Sequence, residues 1–406
     1  MHRILIYILT TILFSSSVYA ITYYSHVEDM AKILNIGLCL PICLLLLLFV
    51  PKSLKIKKFS FYMVLFSILW MTLSGLLYNS LTQILPSFIR YSLYLLCACF
   101  AYTYVRKYNS KSFLSIIKWF LYPFIIISVF WALYEVATDQ VEYLNGAYRL
   151  SGSFKHHQLA AALFYYVLMV LYWTLYLRRN FTIIRLFVLL VLASLLFATQ
   201  SRALLGISLI VTLLYTYTGV KSAKIFITTM CLTGIIFIIA YYVTFFTEAL
   251  PRVRDSLTMD DGEYDNSTMT RILIVENTIE NIQGVKLLTG IGLGGFEQFY
   301  KNITGESEFA AHNNYLLFYS EGGVPSLLSY ILFQLSFLKD IFISIRHNRT
   351  TINVVTFYLF LGITLFSFML NNYYFYCSEI FVWLFLGAYY AERKRSMMPI
   401  KINHTI

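Results

Sequence analysis

The chain has 406 residues, of which 59% are hydrophobic and only 13% charged. A water-soluble domain cannot bury that much apolar surface, whereas a polytopic membrane protein requires it. The net charge of +11 does not point to nucleic acid, because most basic residues sit in short loops between apolar runs, where they set orientation in the membrane. The six cysteines lie in or beside apolar runs, read as small packing residues, and match neither a zinc site nor a disulfide framework.

About twelve spans are expected at roughly 20 apolar residues each. The first covers 4–24 and is read as an uncleaved span, although the small residues Ser15 to Ser17 and Ala20 would also suit a signal peptide. The second covers 33–50 and ends in the basic cluster Lys52, Lys55, Lys57 and Lys58. The third is expected at 59–78, followed by a polar turn over 79–90 and a fourth span at 91–105. The fifth, at 119–137, leads into the loop 138–158, which carries Glu142, Arg149, Lys155, His156 and His157. The sixth to ninth are expected at 159–177, 186–199, 203–219 and 225–247. After the long polar segment 248–311 comes a tenth unit at 312–338, broken at Glu321-Gly322-Gly323-Val324-Pro325, then spans at 354–369 and 380–391.

Basic clusters follow every even span, while nearly all acids fall at the opposite ends. Positive loops stay cytoplasmic, so both termini are expected in the cytoplasm and 248–311 outside it. The chain divides into N-terminal spans (1–137), central spans (138–247), the large outer loop (248–311) and C-terminal spans with a basic tail (312–406).

Four places carry candidate chemistry. Arg202 follows Thr199-Gln200-Ser201 at the outer end of the seventh span, where a cation opposes the orientation rule; it is a topological anchor or a functional charge. Arg271 opens a segment with helical spacing of Ile272, Val275 and Ile279. With Asp265 to Thr268 as caps it would lie in the first turn, where a helix dipole disfavours a cation and a shared phosphate would relieve the conflict. Otherwise it is a solvated arginine. His312 opens the tenth unit, as a cap, an interfacial polar residue or a base. His156 and His157 lack further ligands at metal spacing and suit glycan or phosphate better. The acids Asp255 to Asp265 fit no calcium-loop spacing. Gly290-Ile291-Gly292-Leu293-Gly294-Gly295-Phe296 is read as a tight turn on the membrane surface rather than a dinucleotide loop.

Taken in order, Arg149 to Ala160, Gln200-Ser201-Arg202, an arginine in a long outer loop, the glycine-rich run and His312-Asn313 with Gly323 eleven residues on resemble the O-antigen ligase and polymerase superfamily of bacterial membrane glycosyltransferases. The resemblance covers about 145–390. It implies an all-α polytopic fold of the GT-C type with a large periplasmic loop, in the bacterial cytoplasmic membrane. It also implies transfer from an undecaprenyl-pyrophosphate-linked glycan, with inversion and without metal, ATP or another cofactor. Under it His312 is the catalytic residue, Arg202 and Arg271 bind the pyrophosphate, and Arg149, His156, His157 and Asn313 are candidate glycan or phosphate contacts. The implied acceptor is a lipid A-core sugar for a ligase, or a second lipid-linked repeat for a polymerase of O-antigen, capsule or exopolysaccharide. The His-to-Gly spacing favours the ligase, because the Arg-x10-Gly loops of polymerases are missing: Ala160 and Ile282 stand at those positions. The family often has a second glycine three residues after the first, where this chain has Ser326. A passive transporter would want charges within its spans, and apart from Glu135 the charges here gather at the span ends.

Overall fold

The computed structural model describes residues 41–44, 46–47, 56, 58–144, 147–154, 158–177, 182–199, 201, 205–208, 210–211, 266–305, 311–368 and 376–396. The expected first and ninth spans, and most of the second and eighth, lie outside these residues. So do the candidate site residues Arg202, His156 and His157.

Among the described residues five helices are long and apolar enough to cross a membrane. They are α1 (Phe59–Tyr78), α2 (Leu81–Lys107), α3 (Ser110–Ala137), α4 (Gln158–Tyr172, prolonged by a π-turn to Leu177) and α9 (Asn314–His347). Between them come the hairpin β1 (Glu142–Leu144) and β2 (Ala147–Arg149), and α5 (Ile183–Ala198). The polar segment supplies α6 (Asn266–Asn281), α7 (Lys286–Thr289) and α8 (Phe296–Thr304). The chain closes with α10 (Thr351–Phe366) and α11 (Tyr376–Ser396). This is an all-α membrane protein whose one described departure is the short hairpin.

Patterning explains the packing. On α1 the residues Val64, Ile68, Met71 and Gly75 are buried, while Tyr62, Phe66, Leu69, Leu73 and Leu76 are exposed. Both sets repeat at helical spacing, so one apolar face packs inward and an equally apolar one is left for lipid. The buried face meets α9, in one of the two most extensive helix pairings; the other joins α2 to α11. A Cβ on Gly387 of α11 would strike the Ala98 carbonyl of α2, so a glycine lets these two backbones touch. Almost every side chain of α4 is buried, which makes it the central helix.

Two expectations change. The polar turn at 79–90 is helical from Leu81, because Ser80 and Gln83 form a capping box; Arg90 is thereby carried into α2. The helix bearing Arg271 starts at Asn266 rather than beside the arginine. Arg271 therefore stands in the second turn, where the helix dipole has largely faded, and the dipole argument for a phosphate there is lost. Elsewhere α1 matches its expected bounds; α2, α3 and α11 extend past theirs, α9 starts two residues late and runs nine residues further, and α5 and α10 start three residues early and stop one and three residues short, since caps outside the apolar run define helix ends.

The polar ends sort by side of the bundle. At one end Ser60 meets Tyr390 (2.6 Å), Ser344 meets Tyr389 (2.9 Å), and Arg393 pairs with Asp340. At the other, Tyr78 and Asn79 of α1 reach Thr289 and the carbonyls of Ile291 and Leu293. The glycine-rich run and the start of α9 share that second end.

Candidate functional site

His312 stands at the junction of the polar platform and α9. Its backbone adopts φ +48°, a left-handed conformation unusual for a residue with a side chain. Two asparagines hold that junction. The Asn313 Oδ1 accepts from Tyr315 N (2.8 Å) and Leu316 N (3.2 Å), capping α9. Asn314 is fully buried; its N–H donates to Ser367 O (2.9 Å) and its Nδ2 to Ser367 Oγ (3.1 Å) and Tyr330 Oη (3.3 Å). The cap thus commits the oxygen of Asn313, and only its amide nitrogen is left for a ligand.

The break in α9 falls at Gly323, with φ 66° and ψ −166°. A Cβ there would lie 2.5 Å from Leu287 O and 2.7 Å from Leu288 C. The glycine eleven residues after His312 therefore has a physical reason: it turns the helix and lets α7 lie against the turn. Ser326, where the family often has glycine, instead bonds Ser67 of α1 (Oγ–Oγ 2.7 Å), so the turn is intact without it.

The glycine-rich run is locked to this break. Ile291 N donates to Ser320 O (2.8 Å), Gly292 N to Glu321 O (3.0 Å) and Leu293 N to Met71 O (3.0 Å). The Glu321 side chain, 1% exposed, accepts from Gly294 N at 2.9 Å and from the backbone of Phe296. A buried carboxyl group on one helix thus satisfies the amino end of another, α8. α8 and α6 then share a small core of their own, with Ile274, Ile291, Phe296, Tyr300, Ala311, Leu316 and Leu317. The expected tight turn is present, packed on helix ends.

That assembly brings Arg271 of α6 to His312. Burial lowers the imidazole pKa, and the nearby Arg271 guanidinium lowers it further, to about 4. His312 Nδ1 is buried and has no hydrogen-bond partner among the described residues. At neutral pH the ring is therefore uncharged, with a nitrogen lone pair to offer.

Arg149 lies elsewhere, at the end of β2. Leu150 N donates to Ala198 O (3.0 Å), which ties this loop to the last turn of α5, the stretch leading to Arg202. Glu135, 1% exposed near the end of α3, holds the same loop: its carboxylate accepts from Ser151 N (3.0 Å), Ser151 Oγ (2.8 Å) and Gly152 N. Sequence reasoning assigned no role to Glu135 or Glu321. The available signal was a lone acid inside an apolar helix; which backbone it would clamp depends on residues far away in the chain.

The fold and this junction define a class: a multi-span helical membrane protein with a polar, arginine- and histidine-bearing platform on one end of the bundle. Residues 186–331 match the family model described as O-Antigen ligase. That stretch runs from α5 into the second half of α9 and contains Arg202, Arg271 and His312. The match supports the O-antigen ligase and polymerase superfamily that the sequence resembles, and with it an enzyme of that general type. No curated protein matches the chain.

Proposed function

We propose that the protein is an O-antigen ligase-like glycosyltransferase that moves a glycan from undecaprenyl pyrophosphate to a sugar hydroxyl of lipid A-core at the periplasmic face. The observation that carries this reading is the uncharged, half-buried His312 beside Arg271 at the head of the broken helix. An acceptor hydroxyl is a weak nucleophile and needs a base in reach; a neutral imidazole is one. As the hydroxyl oxygen bonds to the anomeric carbon, its proton passes to the imidazole. The bond from that carbon to the pyrophosphate oxygen breaks, and the electron pair leaves with the lipid pyrophosphate. Attack from the opposite face inverts the centre.

Arg271 has two parts in this scheme. It binds the pyrophosphate and stabilises the charge that grows on it. Once paired with that anion it repels a proton on His312 less, so donor binding raises the basicity of the ring at the moment a base is needed. Arg202 is proposed as the second pyrophosphate ligand. Arg149, His156, His157 and the amide of Asn313 are proposed contacts to phosphate or glycan. The His312-to-Gly323 spacing favours ligase over polymerase.

The test is the lipopolysaccharide of a deletion strain. A ligase leaves bare lipid A-core while long undecaprenyl-linked chains accumulate. Core carrying a single repeat would make the protein a polymerase. The outer position of 248–311 is tested by Gly262→Cys and an impermeant thiol reagent; labelling only after lysis would reverse the orientation.

A further inference from the structure

A second cluster of charge and aromatic rings lies at the end of the bundle opposite His312, where α2 ends and α3 begins. There α5 packs chiefly on α4, and α3 touches both at only a few points. A cleft is left between α3 and α5, over the last turns of α4. Its floor is aromatic. Tyr122 of α3 meets Tyr172 and Tyr176 of α4 at ring distances of 6.2 and 5.1 Å, and those two rings stack on each other at 5.2 Å. Tyr122 is nonetheless 41% exposed, so the floor is open on the α3 side.

Two cations converge on one ring of this floor. Lys118 Nζ stands 5.1 Å and the Arg185 guanidinium carbon 6.0 Å from the centre of Tyr176. Backbone contacts fix both places. Tyr176 Oη donates to Lys118 O (3.1 Å), and Arg185 Nη1 donates to Tyr176 O (3.4 Å) in the π-turn that prolongs α4. Like charges brought this close repel. Arg185 also stands in the first turn of α5, where the helix dipole adds to the cost. The chain offers no local acid to offset them: none occurs between Asp29 and Glu135, or between Glu142 and Glu248. Of the two acids expected at this end, on α9 and α11, Asp340 pairs with Arg393. Below the cations the flanks are apolar. Trp119 (80% exposed), Ile126 on α3, and Ile183 and Phe187 on α5 all face outward, with the indole at the level where aromatic belts meet headgroups.

We propose that this cleft binds one anionic phospholipid of the bilayer, with its phosphate between Lys118 and Arg185 and an acyl chain along the apolar flank of α3. An anion there offsets the repulsion of the two cations, and basic pockets between spans are where such headgroups bind. The site lies at the opposite end of the bundle from the proposed transfer and does not depend on it.

Full-length protein in nonionic detergent is titrated with phosphatidylglycerol or with phosphatidylcholine, and bound lipid is counted by native mass spectrometry. The first phosphatidylglycerol is expected to bind more tightly than phosphatidylcholine. One cation beside an anionic headgroup is worth about fivefold in affinity. Lys118→Gln and Arg185→Gln should each weaken that first lipid by this factor, and more in combination. Lys107→Gln removes the same charge at the same end, from an exposed lysine that leans on Tyr108 instead, and should leave the first lipid unchanged. Equal binding of the two lipids, or an equal loss in Lys107→Gln, overturns the proposal, because the charges then serve orientation alone. Displacement of phosphatidylglycerol by inorganic phosphate overturns it too, assigning the cleft to a soluble anion.

Trp119 gives a second measurement that does not rely on the charge variants folding. In wild-type protein, phosphatidylglycerol with brominated chains should quench tryptophan fluorescence more than brominated phosphatidylcholine does. Trp119→Phe should remove that excess. An excess that survives the substitution would place the bound lipid elsewhere and remove the site.

Discussion

Two polar segments of the molecule are built on the same device and end differently. In each, a glutamate buried on an apolar helix accepts backbone N–H groups from a glycine-containing loop: Glu135 holds Ser151 and Gly152, and Glu321 holds Gly294 and Phe296. The Glu321 loop continues into α8, which packs with α6 around an apolar core of its own. Arg271 is thereby brought to a histidine that its burial, and to a lesser degree this guanidinium, keeps uncharged. The Glu135 loop carries only a short hairpin and delivers a buried arginine whose forked edge meets no acceptor among the described residues. One segment brings a buried histidine and an arginine together; the other buries an arginine alone. A buried glutamate side chain thus serves as a fastener in both, and the two segments differ in what it fastens.

The largest test of this contrast is His312→Ala. Losing a general base costs about 10²- to 10⁴-fold in transfer, while donor binding stays, so lipid-linked donor accumulates. Unchanged turnover would remove the base from the first segment. Replacing pyrophosphate ligands comes next. Arg202→Lys and Arg271→Lys keep charge and lose the fork, and each should cut kcat/KM by about tenfold or more for a lost bidentate contact; full activity in either would exclude that residue.

The pH dependence sharpens the pairing of Arg271 with His312. The acid limb of kcat/KM should fall near pH 4 rather than near 6.5, the ordinary histidine value. In Arg271→Gln it should move up, though not to 6.5, since burial is the larger cause. Stability follows from the same shift. The folded pKa lies below the unfolded one, so the unfolded chain binds the proton more readily. This contribution is complete above about pH 6.5 and is lost as pH falls toward 4; His312→Ala should flatten that part of a Tm-against-pH curve.

The break in α9 is tested by two glycines. Gly323→Ala combines positive φ with a Cβ 2.5 Å from Leu287 O and should lower stability by about 2 kcal/mol or more. Gly284, also at positive φ, has open space around it, and Gly284→Ala should cost about 1 kcal/mol. Equal melting of the two variants would show that α7 does not rest on the break. The smallest effect is Asn313→Ala, which removes the cap of α9 at about 1 kcal/mol; loss of transfer well beyond that of a capping variant would give its amide a part in ligand binding.

Apolar run length and basic loops were enough to read α1 at its bounds and most other described spans within a few turns. A helix that must cross hydrocarbon announces itself in composition. Motif order singled out His312, Arg271 and Gly323 as candidates, and the fold places His312 beside Arg271 and the helix break at Gly323. Tertiary structure alone decided what Glu135 and Glu321 do, since their partners lie 16 and 27 residues away and no periodicity encodes a hydrogen bond across that distance. The start of α2, which carries Arg90 into a helix, is encoded in the Ser80-to-Gln83 capping box rather than decided by tertiary structure. Tertiary structure alone made His312 neutral: the imidazole answers to burial and to a charge on another helix, and both exist only once the chain has folded.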